Sequence, residues 1–486
     1  MQRDVVPAPP PARALAIGRW LAPVAVLLLG LGYYTRHLLD WLAYDDEGGY
    51  LYAAWRISLG EVPYRDFLTP QLPAFLYPGA LLLTLTDSSV LAARLSMAVY
   101  TLAACGLLFL TVRRLWGGRP ALLALMLAVA QAETFWAGRF FRPEAPMLLW
   151  AALGLYLFVR GYPARRSALL ALSGAAFGLA MMSKLFGALP MAGVALFLGR
   201  DLVAARGASR RRDVVRAGLT MAIPFALVVL AIGGAFTALA PNFVAAVLGH
   251  HVRQGQGTPA MAVVGKTLAL YRDYALAQPL YIALAAAGAI LSLRGPADAR
   301  GVFVWQLPTA LAFFAFTRDL QARHLTYLVP ALAALGGLAT DRLWSTISQR
   351  IPRRPGLASL AVAAVLALAL WPHIAKNALV ASWRDDTTSE WVAYIQARTA
   401  PDDVVVSDYP GINFYAQRRT TRLAAGISEG AASSGQILGA DLIAEIEASG
   451  APIVLFNIAH GGHQFVNLRD HPALREYLLQ HYYLSE

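Results

Sequence analysis

The stretch "LAYDDEGGYLYAAWRISLGEVPYRDF", Leu42 to Phe67, stands directly behind a long apolar segment and opens on three consecutive acids, Asp45, Asp46 and Glu47. The residues after the acids read as an amphipathic helix too short to cross a bilayer, with Tyr, Trp and Arg suited to headgroup depth. Acids are favoured in the first turn of any helix by the backbone dipole, so the run is readable as an ordinary helix start. Charge at the edge of a hydrophobic span is also costly unless it is used, so the run is equally readable as a functional site. The residues alone leave both readings open.

Working outward, the chain of 486 residues is 57% hydrophobic and only 14% charged, with a mean hydropathy of +0.50. Such a composition cannot cover a soluble surface with polar groups and points to a membrane. The formal net charge of +12 is therefore read as the basic bias of cytoplasmic loops, and nucleic-acid binding is not expected. The one cysteine, Cys105, excludes an intramolecular disulfide. Apolar segments of near-spanning length occur near 16–37, 89–112, 119–137, 144–160, 167–183, 185–199, 217–240, 276–293, 301–317, 325–342 and 356–374, about eleven spans. The first reads as a retained signal anchor.

Arginines 113, 114 and 119, then 160, 165 and 166, then 200, 206, 210, 211, 212 and 216, then 294 and 300, then 350, 353 and 354 alternate with the spans onto one side. That side is expected to be cytoplasmic, with the N-terminus inside and the C-terminus outside. Asp45, Glu144, Lys184, His250 and His251 then share the outer face. The first outer loop, about 38–88, is expected to carry two interfacial helices, "GGYLYAAWRISLG" and "PAFLYPGALLLTL". Residues 241–275, with "HHVRQGQGTPA", read as a flexible loop. After about residue 378 spanning segments stop, and "DDVVVSDY", "DLIAEIEASG", "APIVLFNI" and "PALREYLLQHYY" alternate strand-like and helix-like patterns. The expected division is a transmembrane domain, 1–378, and a small extracytoplasmic α/β domain, 379–486. The spans look nearly free of buried acids, and no halves match.

"YDDEGGY", "GEVPYRDF", "RPEAPMLLW" (142–150) and "RHLTYLVPALAALGG" (323–337) together resemble the membrane glycosyltransferases of the GT-C fold. The nearest branch is the dolichyl-phosphate-mannose protein mannosyltransferase and lipid A aminoarabinose transferase superfamily. The resemblance covers the first 375 or so residues well and the remainder loosely. It implies a polytopic α-helical enzyme that takes a sugar from a polyprenyl-phosphate donor by a single inverting displacement. The acceptor is a lipid, polysaccharide or protein. By that resemblance the Asp-Glu pair of the first outer loop falls on Asp46 and Glu47, and a second acid following an arginine falls on Glu144, where many members carry Asp. These three are the catalytic candidates. For a hydroxyl acceptor the chemistry calls for one carboxylate as general base. For a phosphate acceptor it would orient the acceptor or hold a metal.

A departing phosphate needs donors around it. Arg139, Arg142, Lys184, Arg318 and Arg323 are cations on the side that the charge bias leaves poor in them, although snorkelling explains any one of them equally well. Similar lysines in the family contact the carrier phosphate. His324 and Tyr327 lie where the family often has an arginine and a tyrosine, and either Arg323 or His324 could be the equivalent. Asp45, Tyr50 and Asp66 complete the substrate-binding candidates. No cofactor is certain. His250 and His251, with Asp66 and Glu61, are a weak candidate site for a divalent metal. Phosphate-loop, dinucleotide and serine-hydrolase motifs find no support. The chain is expected to be a glycosyltransferase in a bacterial inner membrane; a polytopic transporter or flippase for lipid-linked glycans is the alternative.

Overall fold

The computed structural model describes residues 12–42, 45–253, 259–295, 298–311, 320–384, 387–456 and 464–484. It is mostly helical, in keeping with the apolar segments. Helices α1 (Ala12–Thr35), α4 (Val90–Trp116), α5 (Gly118–Ala130), α6 (Ala132–Arg139), α7 (Glu144–Gly161), α8 (Ser167–Ser183), α9 (Leu189–Ala204) and α10 (Ala208–Leu239) follow one another. Two shorter helices, α2 (Asp45–Ser58) and α3 (Pro73–Leu85), fill the first loop where the sequence predicts them. The series continues with α11 (Phe243–Arg253), α12 (Ala260–Leu276), α13 (Pro279–Arg294), α14 (Val329–Arg350) and α15 (Pro355–Ala381).

By length and composition, four of the described helices could cross a membrane, or up to six if each of two bent pairs counts as one span. The bends depart from the expected uninterrupted spans. The 119–137 segment breaks between α5 and α6 with a turn of 62°. Gln131 sits extended at the break and its side chain caps α6, accepting from the Glu133 and Thr134 N–H groups at 2.8 and 3.1 Å, which serves the donors that a new helix start leaves unpaired. Glu133, buried beside it, faces Lys376 at 3.5 Å, and is a buried acid within a segment where the sequence suggests few. The second pair, α12 and α13, turns by 98°. Residues 243–253 and 260–276 are helices rather than the expected loop. Phe243, Ala246 and Val247 join a buried cluster with Tyr64, Leu72 and Met182, and that apolar contact gives α11 a face to bury.

Small residues set the closest helix crossings, as where packing replaces hydrophobic drive. A Cβ on Gly288 of α13 would meet the Leu335 carbonyl of α14 at 1.9 Å, and one on Gly174 of α8 would meet the Met221 carbonyl of α10 at 2.0 Å. Helix α10 is peripheral: only 6% of its apolar window is buried.

Past α15 the character changes. Strands β1 (Val405–Ser407) and β2 (Ile453–Leu455) pair in parallel, with helices at Thr388–Arg398, Pro410–Ala416, Gly439–Ser449 and His471–His481. This segment sits on the first loop. Tyr52 Oη accepts from the Thr420 N–H at 2.8 Å, the Leu68 N–H donates to the Arg422 carbonyl at 3.0 Å, and Tyr415 Oη donates to the Leu42 carbonyl at 2.7 Å. Gly48 of α2 lies so near Gly411 that a Cβ there would stand 2.6 Å from the Gly411 Cα and 2.3 Å from Tyr409 Oη.

Candidate active site

Helix α2 starts at the acid run, so Asp46 and Glu47 lie in its first turn, where the dipole favours them. Successive helical positions point about 100° apart, and the two acids meet different surroundings.

Glu47 points inward and is fully buried with Arg94 of α4. Arg94 Nε donates to both of its oxygens, at 2.9 and 3.2 Å, and Arg94 Nη2 donates to Oε2. The Phe141 N–H donates to Glu47 Oε1 at 2.6 Å. A buried carboxylate is tolerated only when so satisfied. Arg94 is a partner that the sequence reading missed; it lies in an apolar helix as one basic residue among small ones, "LAARLSMA".

Asp46 points the other way, with a quarter of its side chain exposed, and pairs with Arg142 at 3.2 Å and with Arg323. Arg142 also embraces Glu144 through Nε at 3.3 Å and Nη2 at 3.0 Å. The Lys184 ammonium reaches Glu144 Oε1 at 2.6 Å. Pro143 ends the preceding loop and α7 begins at Glu144, while Lys184 occupies an extended corner between α8 and the 3-10 turn Leu185–Ala188. The fold thus brings four separated motifs together: first loop, start of α7, end of α8 and the 3-10 segment Ala322–Leu328. Three cations against two carboxylates leave one positive charge in excess.

Burial pushes the Lys184 ammonium below its usual value, with Glu144 opposing the shift. Burial, and then the neighbouring Lys184 and Arg323 charges, hold the His324 imidazole well below its usual range; the neutral ring stands edge-on to Phe186, and His324 Nδ1 accepts from the Gln321 N–H at 3.1 Å. Tyr50 stands edge-to-face on Phe75, one helical turn from Asp46.

The other candidates sit elsewhere. Arg139 donates to the carbonyls of Tyr34, Arg36 and His37 at 3.1, 2.6 and 2.6 Å, which secures the end of α1. Asp66 pairs with Arg65 at 2.8 Å and accepts from the Val62 N–H at 2.7 Å. Glu61 is held by Arg56 and Arg419. Tyr327 is buried, with Thr309 Oγ1 donating to its hydroxyl at 3.4 Å. Arg318 lies outside the described residues, as do the side chains of Asp45, His250 and His251.

No group of three or more metal-ligating side chains occurs among the described residues. The Asp46 and Glu144 carboxylates do not fit a dication as arranged, because three cations already surround them; excess positive charge fits a phosphate.

A family model described as dolichyl-phosphate-mannose-protein mannosyltransferase matches residues 69–232. No curated protein is detectably similar in sequence. Among solved structures, ArnT from Cupriavidus metallidurans in the apo state is 16% identical with a TM-score of 0.65, the match covering 91% of this chain and 93% of that one. The same protein bound to undecaprenyl phosphate gives 17% identity and a TM-score of 0.53, over 84% of this chain and 86% of that one. The Archaeoglobus fulgidus oligosaccharyltransferase, in complex with Zn and sulfate, is 14% identical with a TM-score of 0.62, over 93% of this chain and 71% of that one. The chain therefore has the GT-C fold of membrane glycosyltransferases, and its resemblance to them is both structural and, over residues 69–232, one of sequence.

Proposed function

We propose that this chain is a polytopic membrane glycosyltransferase that moves a sugar from a polyprenyl-phosphate donor to a lipid, glycan or protein acceptor on the extracytoplasmic face, with inversion. The observation that carries the reading is the Asp46 cluster. Among Asp46, Glu47 and Glu144, only Asp46 has substantial exposure, 25% of its side chain against 0% for Glu47 and 3% for Glu144. It is therefore the acid able to touch a substrate, and it lies among cations suited to a phosphate.

For a hydroxyl acceptor, the acceptor oxygen attacks the anomeric carbon while Asp46 takes its proton. The bond from that carbon to the phosphate oxygen breaks, and its electron pair leaves on the polyprenyl phosphate. Lys184 and Arg323 receive the developing charge. Arg323 is one-third exposed, and exchanging Asp46 for the phosphate would release the carboxylate for proton transfer. Glu144 holds Arg142 and Lys184 in place, and Glu47 positions the start of α2. The neighbours bound to undecaprenyl phosphate and, for the archaeal AglB, to dolichol-phosphate with an inhibitory peptide support a lipid-linked donor. We further read the chain as about eleven apolar segments in a bacterial inner membrane, residues 1–378, followed by an extracytoplasmic unit, 379–486.

A transporter of lipid-linked glycans is the second reading, favoured by the broken pair α5–α6 with Glu133 buried at its break, since broken helices with polar groups at depth are a transporter device. The deciding experiment incubates the purified protein in nanodiscs with polyprenyl-phosphate sugars and membrane extract, then follows donor loss and product by mass spectrometry. A sugar appearing on an acceptor, dependent on Asp46, supports the transferase. Donor moved between leaflets of proteoliposomes but chemically intact overturns it in favour of transport.

A further inference from the structure

At its start, far along α10 from the Asp46 cluster, the chain gathers arginines of two kinds. Arg165 is paired with Asp213 at 2.8 Å and Arg210 with Asp201 at 2.9 Å; these hold the turns around α8, α9 and α10 together. Arg211, Arg212 and Arg216 are exposed and have no carboxylate partner among the described residues. They line a surface groove of about 450 Å³ with Val215, Leu219 and Ile223. Residues four apart share a helix face, so Arg212 and Arg216 form one row and Val215, Leu219 and Ile223 the row beside it.

The order along the axis is informative. Three cations occupy roughly the first 8 Å of the groove, and the apolar residues continue for roughly another 10 Å at 1.5 Å per residue. Val215, Leu219 and Ile223 are 46%, 56% and 57% exposed, on a helix whose apolar window is almost entirely unburied by the protein. Charge followed by an apolar strip on one lipid-facing stripe is complementary to a phosphate headgroup followed by acyl chain. Snorkelling alone asks only that arginines reach the interface; it does not place three that are unpaired among the described residues at the head of an exposed apolar strip on the same helix.

We propose that the start of α10 is a binding site for an anionic glycerophospholipid, its phosphate held by Arg211, Arg212 and Arg216 and an acyl chain lying along Val215, Leu219 and Ile223. The site is separate from the Asp46 cluster: Phe236, which packs against Tyr64 of the first loop, is about 30 Å along the helix from Arg216. It takes part in no step of the transfer.

The test is native mass spectrometry of the full-length protein titrated with palmitoyl-oleoyl phosphatidylglycerol and, in parallel, with phosphatidylcholine of the same chains. The wild type is expected to retain phosphatidylglycerol in preference. The triple variant R211Q/R212Q/R216Q should lose that preference, by on the order of 10- to 100-fold in affinity if each arginine contributes as basic residues near anionic lipid do. R211K/R212K/R216K should keep most of it. The variant R350Q/R353Q/R354Q, at the other basic turn, should bind like wild type. Equal retention of the two lipids, or an unchanged preference in the triple glutamine variant, would overturn the proposal. So would undecaprenyl phosphate displacing phosphatidylglycerol from the wild type at a lower concentration than phosphatidylglycerol itself requires, since the groove would then serve the carrier. These side chains have no ion-pair partner among the described residues to lose, so the variants should fold; a monodisperse size-exclusion peak checks it.

Discussion

Two adjacent acids live in opposite surroundings. Around Glu47 the protein is closed: Arg94 is 1% exposed, the carboxylate is fully buried, and a backbone N–H completes its bonds. Around Asp46 it is open, with two arginines held on a carboxylate that still reaches solvent. A sealed ion pair fixes position, because its charges have nowhere else to go. An open one can exchange partners with an incoming ligand. In the proposed mechanism the Asp-Glu motif thus divides its labour between holding and acting, with the closed member positioning the open one.

The largest effect expected is on Asp46. Asp46→Asn should lower transfer about 10²- to 10⁴-fold, the range for loss of a general base, with unfolding temperature near wild type; full activity in the nanodisc assay would remove Asp46 from the chemistry. Glu47→Gln leaves Arg94 buried without its counter-charge and should destabilise the protein by about 3–5 kcal/mol, read as a thermal shift in detergent. A stable but inactive Glu47→Gln would break the comparison, because it would make the closed acid a participant. Lys184→Ala should raise the donor KM by roughly ten- to a hundredfold, the worth of one charge-assisted hydrogen bond, with a smaller change in kcat; an unchanged KM assigns Lys184 to holding Glu144 alone.

The smallest effect is on pH. His324 has its folded value held well below 6.5, so the unfolded chain binds a proton that the native one refuses as pH falls through about 6.5. Stability attributable to a neutral His324 is therefore present above that pH and lost below it. Replacing His324 with Gln should flatten the acid side of the stability curve between pH 5 and 7, and an unaltered slope would show that the ring is protonated without cost.

The helices of the first loop, the Asp-Glu pair, the arginine-proline-glutamate start of α7, Lys184 and the Arg323 segment were legible because each combines charge with a local apolar pattern. The partnerships were not. Nothing near Arg94 in the chain announces Glu47, 47 residues away, and Arg139 looks like Arg142 in sequence although its guanidinium is committed to α1 carbonyls. Breaks at Gln131 and between α12 and α13 escaped a hydropathy window because a capped break costs little average hydrophobicity. Residues 241–275 read as a loop because Gly and Pro near 254–259 outweigh the short apolar rows on either side of them.

The crossing of Gly48 and Gly411 joins segments 363 residues apart in the chain. During synthesis α2 emerges early, and some 360 residues are added before its packing partner exists. Until then the helix bearing Asp46 lacks the backbone bonds from Thr420 and the rest of its buried wall. Under the proposed function, activity is thereby tied to synthesis of residues 409–422: a chain stalled before them would hold Asp46 on a helix without this support. If the proposed transfer is right, the site is the last part of the fold to form, after the helices on which it rests.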